Sequence, residues 1–412
     1  MDFASNAFLM ICAAMVFIMT PGLAFFYGGL GRRKNVVNNM FNSMFILGIG
    51  MVLWYVFGWN FAFGADGGPV ISAGFTNLFH NGITGSDTFT EGGVSTFTFS
   101  AFQMMFALIT PAIITGSTAG RMKTNALIPF IAIWSLLVYY PMAHMVWGGG
   151  FLASTLGSID FAGGNVVHIA SGTTGLVLAI LLGKRVGYEK QEYRVHNIPF
   201  VVIGAGLLWF GWDAFNAGSA GVADGLAAHA FMTTNISAAT ALVSWMIMDM
   251  ITNKKPTVVG ACTGLVAGLV GITPAAGFVP LWAAFLIGLL VSPICFLGIK
   301  LIKKVLKIDD ALDAFGCHGI GGIFGGLMTG LFHDGSIDGW GAANGLFFGG
   351  DLLWRQAAAI LITIVVVVVG TLISAGIVRI FTKLRVDKKD ELVGLDITQH
   401  GEHAYPAFHG LD

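Results

Sequence analysis

Two histidines stand where ionisable side chains are costly. His168 lies in the run DFAGGNVVHIASGTTGLVLAILLGK, from Asp160 to Lys184, and His318 in DAFGCHGIGGIFGGLMTG, from Asp313 to Gly330. Both stretches are apolar and rich in glycine. Ionisable groups inside a bilayer are expensive and mark pathways, relays or ligand sites. Burial disfavours charge on either ring, and two adjacent imidazoles hold at most one proton between them comfortably. A neutral pair would share one N–H···N hydrogen bond and offer a donor or an acceptor to a passing solute. The alternative is two unrelated buried histidines, each satisfied by backbone or by Ser and Thr hydroxyls. No carboxylate or thiolate is placed to complete a metal site with them.

An aspartate precedes each histidine, Asp160 by eight residues and Asp313 by five. Asp160 suits an N-cap holding free backbone N–H groups, and the same charge would favour cations nearby. Aromatic residues and a hydroxyl gather at matching depth. Phe102 and Phe106 are spaced i, i+4 and share a helix face, as do Phe215 and Ser219 in WFGWDAFNAGSAG, while Trp147, in HMVWGGG, ends the apolar run 125–147. An aromatic face attracts a small cation by roughly 0.5–2 kcal/mol; the competing reading is an interfacial belt and core packing. Asp213, in the same run as Phe215, is expected to act with Asn216. His400 and His403 in the tail sequence HGEH flank Glu402, a weak metal pattern in a polar segment.

These residues need a membrane scaffold. Of 412 residues, 55% are hydrophobic and only 10% charged, against about 25% charged in soluble proteins. The 58 glycines suit close helix packing in lipid, and the net charge of −1 does not suggest nucleic acid. Cys12, Cys262, Cys295 and Cys317 all fall in apolar runs with no CxxC pair, so they are read as packing residues. Walker, GxSxG and HExxH motifs are absent, as is any cofactor fingerprint, which disfavours an enzyme. The N-terminus lacks a basic n-region and is expected to be a retained first span.

Runs of membrane length predict eleven spans, at 7–30, 38–63, 98–119, 125–147, 164–183, 198–218, 227–251, 258–275, 279–302, 313–332 and 356–382. Alternate connections and the C-terminal end carry every basic residue but Arg355, among 21 in total. By the positive-inside rule the N-terminus is outside and the C-terminus cytoplasmic. Spans 1–5 and 6–10, roughly 7–183 and 198–332, then form two inverted five-helix repeats, with the histidines in span 5 and span 10 meeting near the midplane. Span 11 braces the bundle. Residues 1–382 make the membrane domain and 383–412 a cytoplasmic, partly extended tail. Both histidines sit near the start of their helices, so they touch only if both starts reach inward.

Ordered motifs along nearly the whole chain resemble the Amt/Mep/Rh ammonium transporters, the bacterial Amt branch in particular: FFYGGLGRRKNVVN (25–38), AHMVWGGG (143–150), DFAGGNVVHI (160–169), FNAGSAG (215–221), GACTGLVAGLVGITPAAG (260–277), DAFGCHGIGG (313–322) and GLDITQHGEHAYP (394–406). The resemblance implies that His168 and His318 are a twin-histidine pair in a hydrophobic pore. It implies an outer ammonium recruitment site at Phe102, Phe106, Trp147 and Ser219 with Asp160 close by, a gate of Phe106 and Phe215, and Trp212 flanking the pore. It further implies a homotrimer in the inner (plasma) membrane, without a cofactor, whose tail engages a cytoplasmic PII-type regulatory protein. An ammonium sensor signalling through the tail is the alternative; such sensors carry an added cytoplasmic domain, and the tail here is short.

Overall fold

The computed structural model describes residues 1–89, 93–188, 190, 193–339 and 341–405, so the last residue of the tail motif, Pro406, lies outside the described residues. Among the described residues the regular elements are helices: α1 (Phe3–Leu30), α2 (Arg33–Phe63), α3 (Thr96–Thr118), α4 (Thr124–Ser154), α5 (Gly164–Leu182), α6 (Ile198–Gly218), α7 (Gly225–Asn253), α8 (Val258–Ile272), α9 (Leu281–Val305), α10 (Phe315–Phe332) and α11 (Leu352–Phe381). All but α8 are long and apolar enough to cross a membrane. The eighth run was expected to extend over 258–275. Its helix stops at Ile272 because Pro274 has no N–H and disfavours helical backbone in the residue before it, and buried turns over 273–279 complete the run.

The connections sort to two ends. At one end the Asp2 N–H donates to Gly93 O (3.0 Å), Asp334 N–H to Phe278 O (2.9 Å) and Ala223 N–H to Ser5 Oγ (3.1 Å). At the other, the basic connections meet the tail. Lys123 N–H donates to Leu384 O (2.9 Å) and Val386 N–H to Arg121 O (3.0 Å). The tail is not extended. It forms α12 (Lys388–Val393) and a single π-helical turn over Asp396–His400. Asp396 accepts the N–H groups of Val36 (3.0 Å) and Asn38 (2.9 Å), two orphan donors at the start of α2. Lys34 Nζ donates to Glu391 O at 2.7 Å, and Glu391 pairs with Arg385 at 2.7 Å. His400 of the HGEH sequence lies 3.0 Å from Asn38 Nδ2.

Asp309, in the connection between α9 and α10, ties this end together. It holds Arg121 at 3.0 Å and Arg185 at 2.6 Å, all three side chains buried. Arg121 also donates to the Asp309 carbonyl. On the opposite flank α11 packs along α5 and α10 through polar ties rather than apolar contact alone. Gln356 exchanges two hydrogen bonds with the Ile159 backbone (2.7 and 3.1 Å), Thr363 donates to Asn165 Oδ1 (3.3 Å), and the Thr174 and Thr371 hydroxyls meet at 3.0 Å.

Burial raises the Asp309 carboxyl, but the hydrogen bonds and charge of Arg185, with Arg121, outweigh burial and hold it below the usual carboxylate range. A folded value below the unfolded one gives stability that is complete above about pH 4 and is lost as pH falls through the folded value. Asp309→Ala leaves two buried guanidinium groups without their carboxylate and is expected to cost about 3–5 kcal/mol. Thermal unfolding of the detergent-solubilised protein checks this: a melting temperature unchanged by the substitution, or an acid-side slope below pH 4 as steep in Asp309→Asn as in wild type, would remove Asp309 from this role.

Candidate functional site

The two histidines meet. His318 Nδ1 lies 3.2 Å from His168 Nδ1, with ring centroids 5.3 Å apart, and both residues are buried. Because both contacting atoms are Nδ1, one ring donates and the other accepts. The donor ring then keeps an acceptor Nε2 and the acceptor ring a donor Nε2–H, so the neutral pair presents one of each. His168 Nε2 has no hydrogen-bond partner.

Two matching helix starts bring the rings together. Each histidine sits in a π-helical first turn, Gly164–Ile169 in α5 and Phe315–Gly319 in α10, and residues 160–163 and 309–312 that lead into them are buried. Both starts therefore lie inside the protein, as contact between the rings requires. Asp160 caps the first. Its Oδ1 accepts the N–H groups of Gly163 (2.9 Å) and Gly164 (2.7 Å), and its Oδ2 that of Asn165 (2.7 Å). The carboxylate is thus engaged on backbone, and its link to Trp147 runs through its own carbonyl, which accepts Trp147 Nε1–H at 2.8 Å.

The second start corrects the sequence reading. Asp310, not Asp313, is the cap: its Oδ2 accepts the N–H groups of Phe315 (2.9 Å) and Gly316 (3.3 Å), and its Oδ1 accepts the Ser117 hydroxyl (2.6 Å). Asp313 instead pairs with Lys303 at 2.6 Å from a left-handed backbone position, φ 62°. Asp310 stands eight residues before His318, the spacing of Asp160 to His168. One turn after each histidine comes a glycine that permits the approach. A Cβ on Gly172 would collide with the Gly319 backbone, and one on Gly322 would lie 3.0 Å from His168 Cβ.

Above the pair, towards the end that holds Asp2 and the polar loops, Trp212 stacks on His168 (5.3 Å between ring centroids, 22°) and is fixed by Nε1–H donation to Thr273 Oγ1 at 2.8 Å. Phe215 follows, stacked face to face on Phe106 at 3.9 Å and 17°. Phe102 meets Phe106 edge-on at 4.9 Å, and Trp147 meets it at 5.9 Å and 89°. Phe102, Phe106 and Phe215 are buried, while Trp147 and Ser219 are partly exposed. The Ser219 hydroxyl donates to Phe215 O at 2.8 Å, leaving its oxygen available as an acceptor. Below the pair, His318 borders a small apolar void with Trp212, Phe26 and Tyr27, and then a wider cavity of about 290 Å³. Asp213 and Asn216 do not act together: Asp213 accepts from Asn235 (2.8 Å), and Asn216 donates to Thr234 (2.9 Å).

The model of the Ammonium Transporter Family matches residues 7–405. The chain belongs to this family. An ammonium transporter of Bacillus subtilis (strain 168) is 46% identical over 410 residues, covering 98% of this chain and 99% of its own. Ammonium transporter Amt1 of Archaeoglobus fulgidus is 43% identical over 401 residues, covering 97% and 98%. Among solved structures, Candida albicans Mep2 superposes with a TM-score of 0.89 at 32% identity over 98% of this chain and 90% of its own. A sensor Amt protein superposes at 0.88 with 28% identity over 96% and 98%.

In this member of the ammonium transporter family, sequence reasoning missed Asp310, Gly172 and Gly322. The signal was the shared eight-residue spacing from aspartate to histidine, followed by glycine four residues on. Asp160→Ala and Asp310→Ala each leave two or three buried N–H groups unpaired, at about 1–3 kcal/mol apiece. Both are expected to lower the detergent melting temperature clearly, with the Asn substitutions milder because one acceptor oxygen remains. Melting curves superimposable on wild type would show that the caps do not hold the helix starts.

Proposed function

We propose that this chain is an ammonium transporter that recruits ammonium at the aromatic end, removes its proton, and conducts ammonia past His168 and His318. What carries the reading is the histidine pair: two imidazoles 3.2 Å apart among apolar walls, one nitrogen without a partner. Ammonium resembles potassium in size and charge, so a site that merely bound cations would pass both. Moving an intact charge through hydrocarbon costs from roughly 2.5 to above 10 kcal/mol. Ammonium alone can shed a proton and cross as a neutral molecule. Trp147, Phe102 and Phe106 offer ring faces and edges, and Ser219 an acceptor, at the entrance; the Phe106–Phe215 stack closes the way until a ring turns. Ammonia then finds one donor and one acceptor on the histidines. Asp160 acts in this scheme as the cap that positions His168.

The same reading places the N-terminal end outside and the tail in the cytoplasm, with inverted repeats over 7–183 and 198–332, α11 as a brace, and three copies in the inner membrane. The tail, with its PII-type partner, would act on α2 through Asp396. The second reading, an ammonium sensor, has one observation behind it: the likeness to a sensor Amt protein.

Uptake into proteoliposomes tests the transport reading. Wild type is expected to pass ammonium down its gradient and to exclude potassium. His168→Ala combined with His318→Ala is expected to cut ammonium flux by about tenfold or more, the size of losing one to two hydrogen bonds to the solute, or to admit potassium. Absence of ammonium-dependent flux in wild type would sink transport, and unchanged flux and selectivity in the double variant would sink the histidine role. Deletion after Val386 is expected to abolish binding of a PII protein; binding that persists would move the docking surface off the tail.

A further inference from the structure

The cavity of about 290 Å³ beneath His318 has a charge balance that the passage of a neutral molecule does not require. Among the described residues its wall carries Arg32, Arg185 and Lys303 but a single carboxylate, Asp313. Lys303 and Asp313 neutralise each other at 2.6 Å. Arg185 is matched by Asp309, which also serves Arg121. Arg32 has no carboxylate among the described residues. Its guanidinium lies 5.3 Å from the centroid of the Tyr193 ring, and Arg185 lies 4.7 Å from the same centroid. Two like charges thus contact one tyrosine ring, and among the described residues only Arg185 of the two has a carboxylate partner. The tyrosine hydroxyl donates to Leu30 O at 3.2 Å, so it offers its proton elsewhere.

A positive pocket with aromatic and aliphatic walls, near the small end of the range for small-molecule sites, fits an anion. A guanidinium offers paired donors that match the two oxygens of a carboxylate or phosphate group. We infer that this cavity binds a small anion through one carboxylate or phosphate group seated on Arg32, and that the bound anion caps the exit beneath His318. The capping rests on the transport reading given above; the binding does not. A cytoplasmic metabolite or inorganic phosphate could reach the site directly from the tail side, and ammonium flux would then fall as that anion accumulates.

The binding arm uses the purified full chain in detergent. Calorimetric titration with sodium phosphate and with sodium succinate, with sodium chloride as control, is expected to give saturable binding by at least one of the two and none by chloride. Arg32→Gln is expected to weaken it by about tenfold or more, the size of a charge-assisted hydrogen bond, with an unchanged melting temperature; Arg32→Lys, which keeps the charge and loses the fork, is expected to fall between. No saturable binding by phosphate or succinate up to about 10 mM, or equal binding by Arg32→Gln, overturns the site. The transport arm loads the same anion inside ammonium-conducting proteoliposomes. Flux should fall in wild type and not in Arg32→Gln, whose flux without anion should match wild type. Binding without any effect on flux overturns the cap and leaves the site. Binding by a protein that carries no ammonium at all supports the site and overturns the pore reading instead.

Discussion

The close crossing of two helix starts is the contact on which the rest of this structure depends. Helices that begin inside a protein leave N–H groups unpaired where water is scarce, and each such group is costly. Asp160 and Asp310 meet that cost in the same way, from the same distance along the chain. With the starts capped, His168 and His318 can stand on the first turn rather than in mid-helix. The glycines one turn later let the backbones approach until the rings touch. Larger residues at those two positions would hold the helices apart, and capping alone would then bring nothing together.

Around that crossing the structure divides its polar interactions by location. On one side the histidines are followed by the rings of Trp212, Phe215 and Phe106, with the Trp212 indole N–H directed away to Thr273. Asp160 and Asp310 stay inside on backbone N–H groups, whereas Asp309 pairs with two arginines at the tail end. The long helix α11 reaches the same α5 start from outside and holds it by hydrogen bonds to Ile159 and Asn165. Position, more than any single strong interaction, is what these contacts supply.

Much of this was legible in the sequence for physical reasons. Apolar runs of membrane length are long signals, and the boundaries of α3, α5, α6 and α10 fall within two residues of the expected ones. The pairing of Phe102 with Phe106 followed from helical spacing. What was not legible depended on contacts between distant segments. Three aspartates precede His318, and only folding shows that Asp310 turns to the helix start while Asp313 turns to Lys303. Asp213 and Asn216 looked like partners because they are close in sequence, yet each finds a different residue of α7. The tail looked partly extended because it is polar, and its order comes from backbone donors on α2 that a linear reading cannot assign to it.

The docking of the tail has a consequence for how the molecule is made. The start of α2 leaves the ribosome some 360 residues before Asp396, the carboxylate that completes it. Asn35 likewise waits for Leu395, whose N–H it accepts at 2.9 Å. At synthesis rates of about 5–20 residues per second, those groups stay open for some tens of seconds. A chain that stalls or ends early never closes them. The first turn of the second helix is therefore finished only by a segment made some 360 residues later, and a chain broken before Asp396 leaves the Val36 and Asn38 amides without that carboxylate.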